Sequence, residues 1–213
     1  MHFQCIVVEF PIDLEALWSR SVYITLNDTR IRHFSAEDLL LLLSMHGCKP
    51  AHAWGSLKWV CDVAELIRAY PALDWESISR NAKLLASERM FLLSLAIAHD
   101  LLGTALPDEI AGRIKTDKLI TQLTAQVRKK MFQETENENQ FRRTLEGIRF
   151  YFKTREYPRG KLQFCQDYFH YLITPDEKDR VTITLPSYLS FCYYLIRPMR
   201  LLMKLGQKLL RLH

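Results

Sequence analysis

Apolar residues recur at spacings of three and four along most of the chain, and this rhythm predicts a succession of helices. Ser35-Ala-Glu-Asp38 has the form of a capping box directly ahead of Leu39 to Leu43, so a helix starts there. It ends near Gly47 to Pro50, because proline cannot continue the hydrogen-bond ladder. A second helix, from about Trp54 to Tyr70, places Leu57, Val60, Cys61, Ala64 and Ile67 on one stripe, which reads as a core face. Asp74 caps a third helix, Trp75 to about Ala86, and Ser87 to Leu102 forms a fourth that Gly103 stops. Leu106-Pro-Asp-Glu109 opens the next, with proline and acids where a first turn tolerates them.

Beyond it, Asp117 to Glu134 and Glu138 to Phe152 keep a helical pattern but are more polar, as peripheral helices would be. Lys161 to Ile173 is an aromatic-rich helix, Val181 to Leu185 a short extended piece, and Ser187 to Leu212 a last helix interrupted by Pro198. The N-terminus breaks the rhythm. Cys5 to Phe10 reads as a short strand stopped by Pro11, and Asp13 caps a short helix through Arg20. Val22 to Leu26 and Ile31 to Phe34 then flank Asn27-Asp28-Thr29 as a small hairpin that would sit beside the opening strand. The fold class is mainly α: an antiparallel helical array with a small N-terminal strand and hairpin element, residues 1–34, followed by a helical domain, residues 35–213.

Composition agrees with a globular chain, at 48% hydrophobic and 25% charged residues over 213 positions. Five cysteines, odd in number and without a C-x-x-C pair, indicate a reducing, cytoplasmic setting in which they act as small core residues. The start carries no signal-peptide pattern, and no apolar run is long enough to cross a bilayer.

A net charge of +5 does not by itself announce a nucleic-acid binder, and no specific nucleic-acid partner is expected. Its distribution matters more. Ser187 to His213 contains no acid, yet holds Arg197, Arg200, Lys204, Lys208 and Arg211 between Leu195, Met199, Leu202, Leu205, Leu209 and Leu212. Such a basic amphipathic segment suits contact with an anionic membrane surface or docking to a partner, or else packs on its own core with its cations in water.

The densest group of polar chemistry is His46-Gly-Cys-Lys49 followed by Trp54, Lys58, Trp59 and Asp62, across one helix end and the next helix start. A histidine and two lysines gathered there, near a helix N-terminus, could hold the phosphates of a nucleoside triphosphate. The plainer alternative is a Lys58–Asp62 surface ion pair, a helix-end histidine and two core tryptophans. His46, Cys48, His52 and Cys61 match no compact zinc pattern. No P-loop, G-x-S-x-G or dinucleotide glycine pattern is present, and Asp13-Leu-Glu15 is better explained by capping than by metal binding.

Phe34 to Lys49 and Leu57 to Leu66 resemble an uncharacterised bacterial nucleotidyltransferase family, with the pattern S-x-E-D-L-L-L-x-L-x-x-H-G followed by L-K-W-x-x-D-x-A-E-L. Leu14 to Trp18, Leu73-Asp-Trp75 and Ala98 to Gly103 extend the likeness, and Leu195 to Leu201 does so more weakly. The resemblance implies kinship with polymerase-β-like enzymes, whose small sheet carries a D-x-D and a third carboxylate for magnesium. Those strands would precede Met1, so the chain is expected to be a truncated member, the product of a split gene or of a misplaced start, inactive alone or completed by an upstream polypeptide. It would hold no cofactor alone, and magnesium only with that sheet. In another register Glu9 would be the third carboxylate. By the same resemblance, His46, Lys49, Lys58 and Asp62 would contact a nucleotide phosphate or orient the two halves, and the chain would position nucleotide or acceptor without being active alone. A non-enzymatic helical interaction module is the alternative.

Overall fold

Three predicted helix starts in the first half, those at Asp13, Ser35 and Asp74, are built by the cap the sequence announces. In a computed structural model, which describes residues 12–132, 140–175, 181 and 186–210, Asp13 opens helix α1 (Leu14–Ser19) by accepting from the amides of Glu15 and Ala16 at 3.0 and 3.1 Å. The strands β1 (Val22–Leu26) and β2 (Thr29–His33) pair antiparallel, with Leu26 opposite Thr29. Asn27 and Asp28 take the left-handed conformation at φ 46° and 59°, which a two-residue turn of this hand requires. The second strand therefore starts two residues before the expected Ile31. The opening strand over residues 1–10, with Glu9, lies outside the described residues.

The hydroxyl of Ser35 accepts from the Asp38 amide at 3.1 Å and starts α2 (Ala36–Cys48). The reciprocal half of a capping box is absent, because the Asp38 carboxylate turns instead to Arg20. Arg20 donates to it through Nε and Nη2, both at 2.9 Å, and ties α1 to α2. That hydrogen bond holds the Arg20 pKa above its ordinary value. Next come α3 (Leu57–Ala69), α4 (Trp75–Leu84), α5 (Glu88–Leu102), α6 (Asp108–Thr116), α7 (Lys118–Phe132) and α8 (Gln140–Thr154).

Helices α2 and α5 form the centre. Both are apolar on nearly every side, as a helix surrounded by others must be: Leu40, Met45, Met90, Phe91 and Leu93 are buried. Helix α5 packs against α2, α3 and α7. Where α5 meets α2, the hydroxyls of Ser44 and Ser94 share a buried hydrogen bond of 2.6 Å, so neither polar group is stranded. Gly103 closes α5 at φ 67°, a left-handed position that glycine adopts without Cβ strain.

Three sequence expectations need correction in this part of the fold. The buried face of α3 is Val60, Val63, Leu66 and Ile67, whereas Leu57 is exposed and Cys61 and Ala64 are half-buried. Contact with α2 and α5 turned the helix toward the second set. Helix α7 is not peripheral, since Ile120, Leu123 and Val127 are buried where it meets α5. Helix α8 likewise buries Phe150 and Tyr151.

The chain divides into two compact units, Met1–Gly160 and Lys161–His213. Helix α9 (Pro158–Ile173) begins three residues earlier than the pattern suggested, with proline at its first position. Of the extended piece expected at Val181 to Leu185, only Val181 is described, and it is helical. In the second unit a 3₁₀ turn (Ser187–Cys192) leads into α10 (Tyr193–Leu210), which runs through Pro198 rather than breaking there. The carbonyl this proline leaves without a donor belongs to Tyr194, an exposed residue. No helix among the described residues is long and apolar enough to cross a membrane.

The Arg20–Asp38 link is asymmetric, with the aspartate buried and the arginine half-exposed. Arg20→Ala is therefore expected to cost about 2–3 kcal/mol, because it strands a buried carboxylate, and Asp38→Asn only about 1 kcal/mol. Urea denaturation of both variants checks the order; equal losses would contradict it.

Candidate functional site

The link between α2 and α3 is an ordered knot. Lys49 caps α2, its amide donating to the His46 carbonyl at 3.2 Å, while its own carbonyl accepts from the amides of His52 and Ala53 at 2.9 and 2.7 Å. Ala53 and Trp54 then adopt φ 41° and 50°, a left-handed pair without glycine or asparagine. Such backbone is unfavourable for these residue types and persists only where the surroundings impose it. Here the Trp54 side chain does so. It is fully buried, its amide donates to the Gly47 carbonyl at 2.9 Å, and its indole N–H donates to the Cys48 Sγ at 3.3 Å. A Cβ at Gly47 would fall inside the indole ring.

This knot explains why α3 starts at Leu57 and not at Trp54: two consecutive left-handed residues cannot be the first turn of a right-handed helix. A further wall comes from α8, where a Cβ on Gly147 would collide with the Pro50 carbonyl. The Cys48 thiol is sealed in this packing. Burial pushes its pKa up to about 12, outweighing the opposite effects of the Trp54 N–H and the Arg155 guanidinium.

The knot sets three rings together. The centroids of His46 and His52 lie 4.3 Å apart, those of His52 and Trp59 4.4 Å, and those of His46 and Trp59 6.0 Å. The end of α2 is thereby clasped to the first turn of α3. Of the four residues singled out from sequence, His46 belongs to this cluster and Lys49 is buried at its base, 7% exposed. Lys58 and Asp62 are exposed one turn apart on α3 and form no ion pair with each other among the described residues, so the plainer reading of that pair fails. Ser56 starts α3 without a side-chain cap, which leaves the first-turn amides beside Lys58 to other partners. His52 is the ring sequence spacing did not join to His46, because only the left-handed turn folds it back.

Among the described residues no three of His, Cys, Asp and Glu gather in a way that could hold a metal ion. A second charged region lies apart from the junction: a cavity of about 530 Å³ lined by Glu88, Arg89, Arg113, Asp117, Lys118 and Glu156. Its charges largely pair internally, through Arg113–Glu88 and Arg89–Asp117, and burial raises the Glu156 pKa.

Two outcomes follow from the knot. Gly47→Ala must displace Trp54 and is expected to destabilise the fold by about 1–3 kcal/mol in urea; unchanged stability would contradict the wedge. The Cys48 pKa lies above its unfolded value, so its contribution is complete below about pH 9 and is lost as pH rises toward 12. Folded protein should accordingly leave Cys48 unalkylated by iodoacetamide at pH 8, and unfolded protein should not; rapid labelling of native Cys48 would contradict the burial.

No curated protein and no solved structure matches the chain. Residues 1–103, which contain α1, the hairpin, the whole α2–α3 junction, α4 and α5, match the model of a family described as uncharacterised nucleotidyltransferase.

Proposed function

We propose that the chain is the helical portion of a nucleotidyltransferase, whose α2–α3 junction positions a nucleoside triphosphate or its acceptor. The observation that carries this reading is the coincidence of the family match with the junction. The segment that matches is the segment in which a strained turn, a buried tryptophan and three packed rings fix the ends of α2 and α3. Energy spent holding left-handed alanine and tryptophan is easier to understand where geometry serves a ligand.

Within this reading Lys58 is the phosphate-facing group. It is an exposed cation on the first turn of α3, beside amides that no side chain caps, and anions favour that end of a helix. Lys49, at the base of the knot, adds positive potential from a partly desolvated position, where charge is less screened. Asp62 lies one turn beyond Lys58 and turns the negative end of the site away from phosphate, toward a hydroxyl of the nucleotide or acceptor. His46 orients the surface through its contacts with His52 and Trp59. Magnesium and the transfer step would depend on carboxylates of a catalytic sheet outside the described residues; the helical portion binds and orients.

Thermal unfolding in the presence of magnesium and each nucleoside triphosphate tests the proposal. Ligand at a hundred times its Kd should stabilise the protein by about 2.7 kcal/mol. Lys58→Ala should abolish the shift while leaving the unliganded midpoint nearly unchanged, since Lys58 is exposed. Lys49→Ala should weaken the shift and also lower that midpoint. No shift for the unmodified chain with any triphosphate would overturn the reading.

A further inference from the structure

Helices α5, α6 and α7 converge on a half-open cavity of about 230 Å³ that shares no residue with the α2–α3 junction. Its walls are apolar and small: Ala96 from α5, Ala111 and Ile114 from α6, and Leu106 from the link between those helices. That link is pinned, because His99 Nδ1 donates to the Thr104 carbonyl at 2.9 Å and the Thr104 hydroxyl donates to the Ala98 carbonyl at 3.1 Å. An apolar cavity of roughly 150 Å³ is enough to hold benzene, so this one has room for a single ring with substituents.

Two features give the space a direction. Thr124 lines it from α7, is 9% exposed, and keeps its Oγ1 sealed from water without a hydrogen-bond partner among the described residues. A threonine on a helix can return its hydroxyl to the carbonyl one turn back, as Thr121 does to Asp117 at 3.3 Å. Valine would fill the same space without a stranded hydroxyl, so the fold alone has no use for threonine here. At the rim stand Asp100, Arg128 and Lys115. Arg128 donates to both Asp100 oxygens, at 3.0 and 3.3 Å, and offsets that carboxylate. Lys115 is exposed and forms no ion pair among the described residues, so the rim carries one positive charge in excess.

We propose that this cavity binds a small monocyclic acid, its ring between the apolar walls, a hydroxyl or carbonyl group on Thr124 Oγ1 at the inner end, and its carboxylate at the Lys115 rim. Threonine in a helix has two accessible χ1 rotamers, and its hydroxyl both donates and accepts, so it can turn to either group. A wholly apolar guest would leave Oγ1 stranded, and a guest charged at its inner end would press an unpaired ion against apolar walls. A lone water would find too few polar partners there.

The experiment is an amide NMR titration of the full chain with 4-hydroxybenzoate, benzoate and 4-hydroxybenzyl alcohol. Shifts should localise to α5, α6 and α7, and 4-hydroxybenzoate should bind most tightly. Benzoate, without the inner hydroxyl, should bind about fivefold more weakly. The alcohol, without the charge, should bind about threefold more weakly and lose nothing further in Lys115→Gln. Thr124→Val should lose about fivefold for 4-hydroxybenzoate while its thermal midpoint stays equal or rises; a midpoint that falls would assign the hydroxyl to the fold and overturn its role. Ala111→Leu should fill the cavity and abolish binding of all three probes. The proposal is overturned by the absence of localised shifts with every probe at millimolar concentration, or by undiminished binding in Thr124→Val or Ala111→Leu.

Discussion

The burial of one indole ring dictates the shape of the N-terminal half. Trp54 fills the space that glycine leaves at position 47, gives its N–H to the Cys48 sulfur and its amide to the Gly47 carbonyl, and thereby holds two successive residues in a conformation they would otherwise avoid. Burying a tryptophan contributes several kcal/mol, against a strain of about 1–3 kcal/mol for each left-handed residue. The balance favours the knot only while the pocket fits. The start of α3 and the meeting of His46, His52 and Trp59 inherit its geometry.

Local signals in the sequence were legible where the structure satisfies them locally. Asp13, Ser35 and Asp74 each cap the helix they precede, and Gly103 ends α5 in the left-handed conformation. These devices act within three or four residues, so their chemistry stands beside them in the sequence. Asp38 shows where this stops: the spacing of a capping box was present, but an arginine eighteen positions earlier captured the carboxylate. The face of α3 was misplaced for a similar reason. Leu57 and Val63 are equally apolar, and only the packing of α3 on α2 and α5 decides which is buried.

The candidate site divides along the same line. Its members were visible as a concentration of His, Lys, Trp and Asp around a helix–helix link. Their arrangement was not, because it rests on left-handed alanine and tryptophan, residues that carry no turn signal. The glycine that permits it, Gly47, sits inside α2 and would ordinarily be read as a weak helix end. In the second unit the sequence showed an amphipathic basic helix, while the direction in which its apolar side faces is a property of packing alone.

The central claim is that the α2–α3 link is part of the core and not a surface loop, and native-state hydrogen exchange of the Trp54 backbone amide tests it most directly. That amide donates to the Gly47 carbonyl beneath a fully buried side chain, so it should exchange only with global unfolding, as slowly as the amides of Leu93 and Leu95 in α5. Exchange at the rate of an open loop would contradict the account.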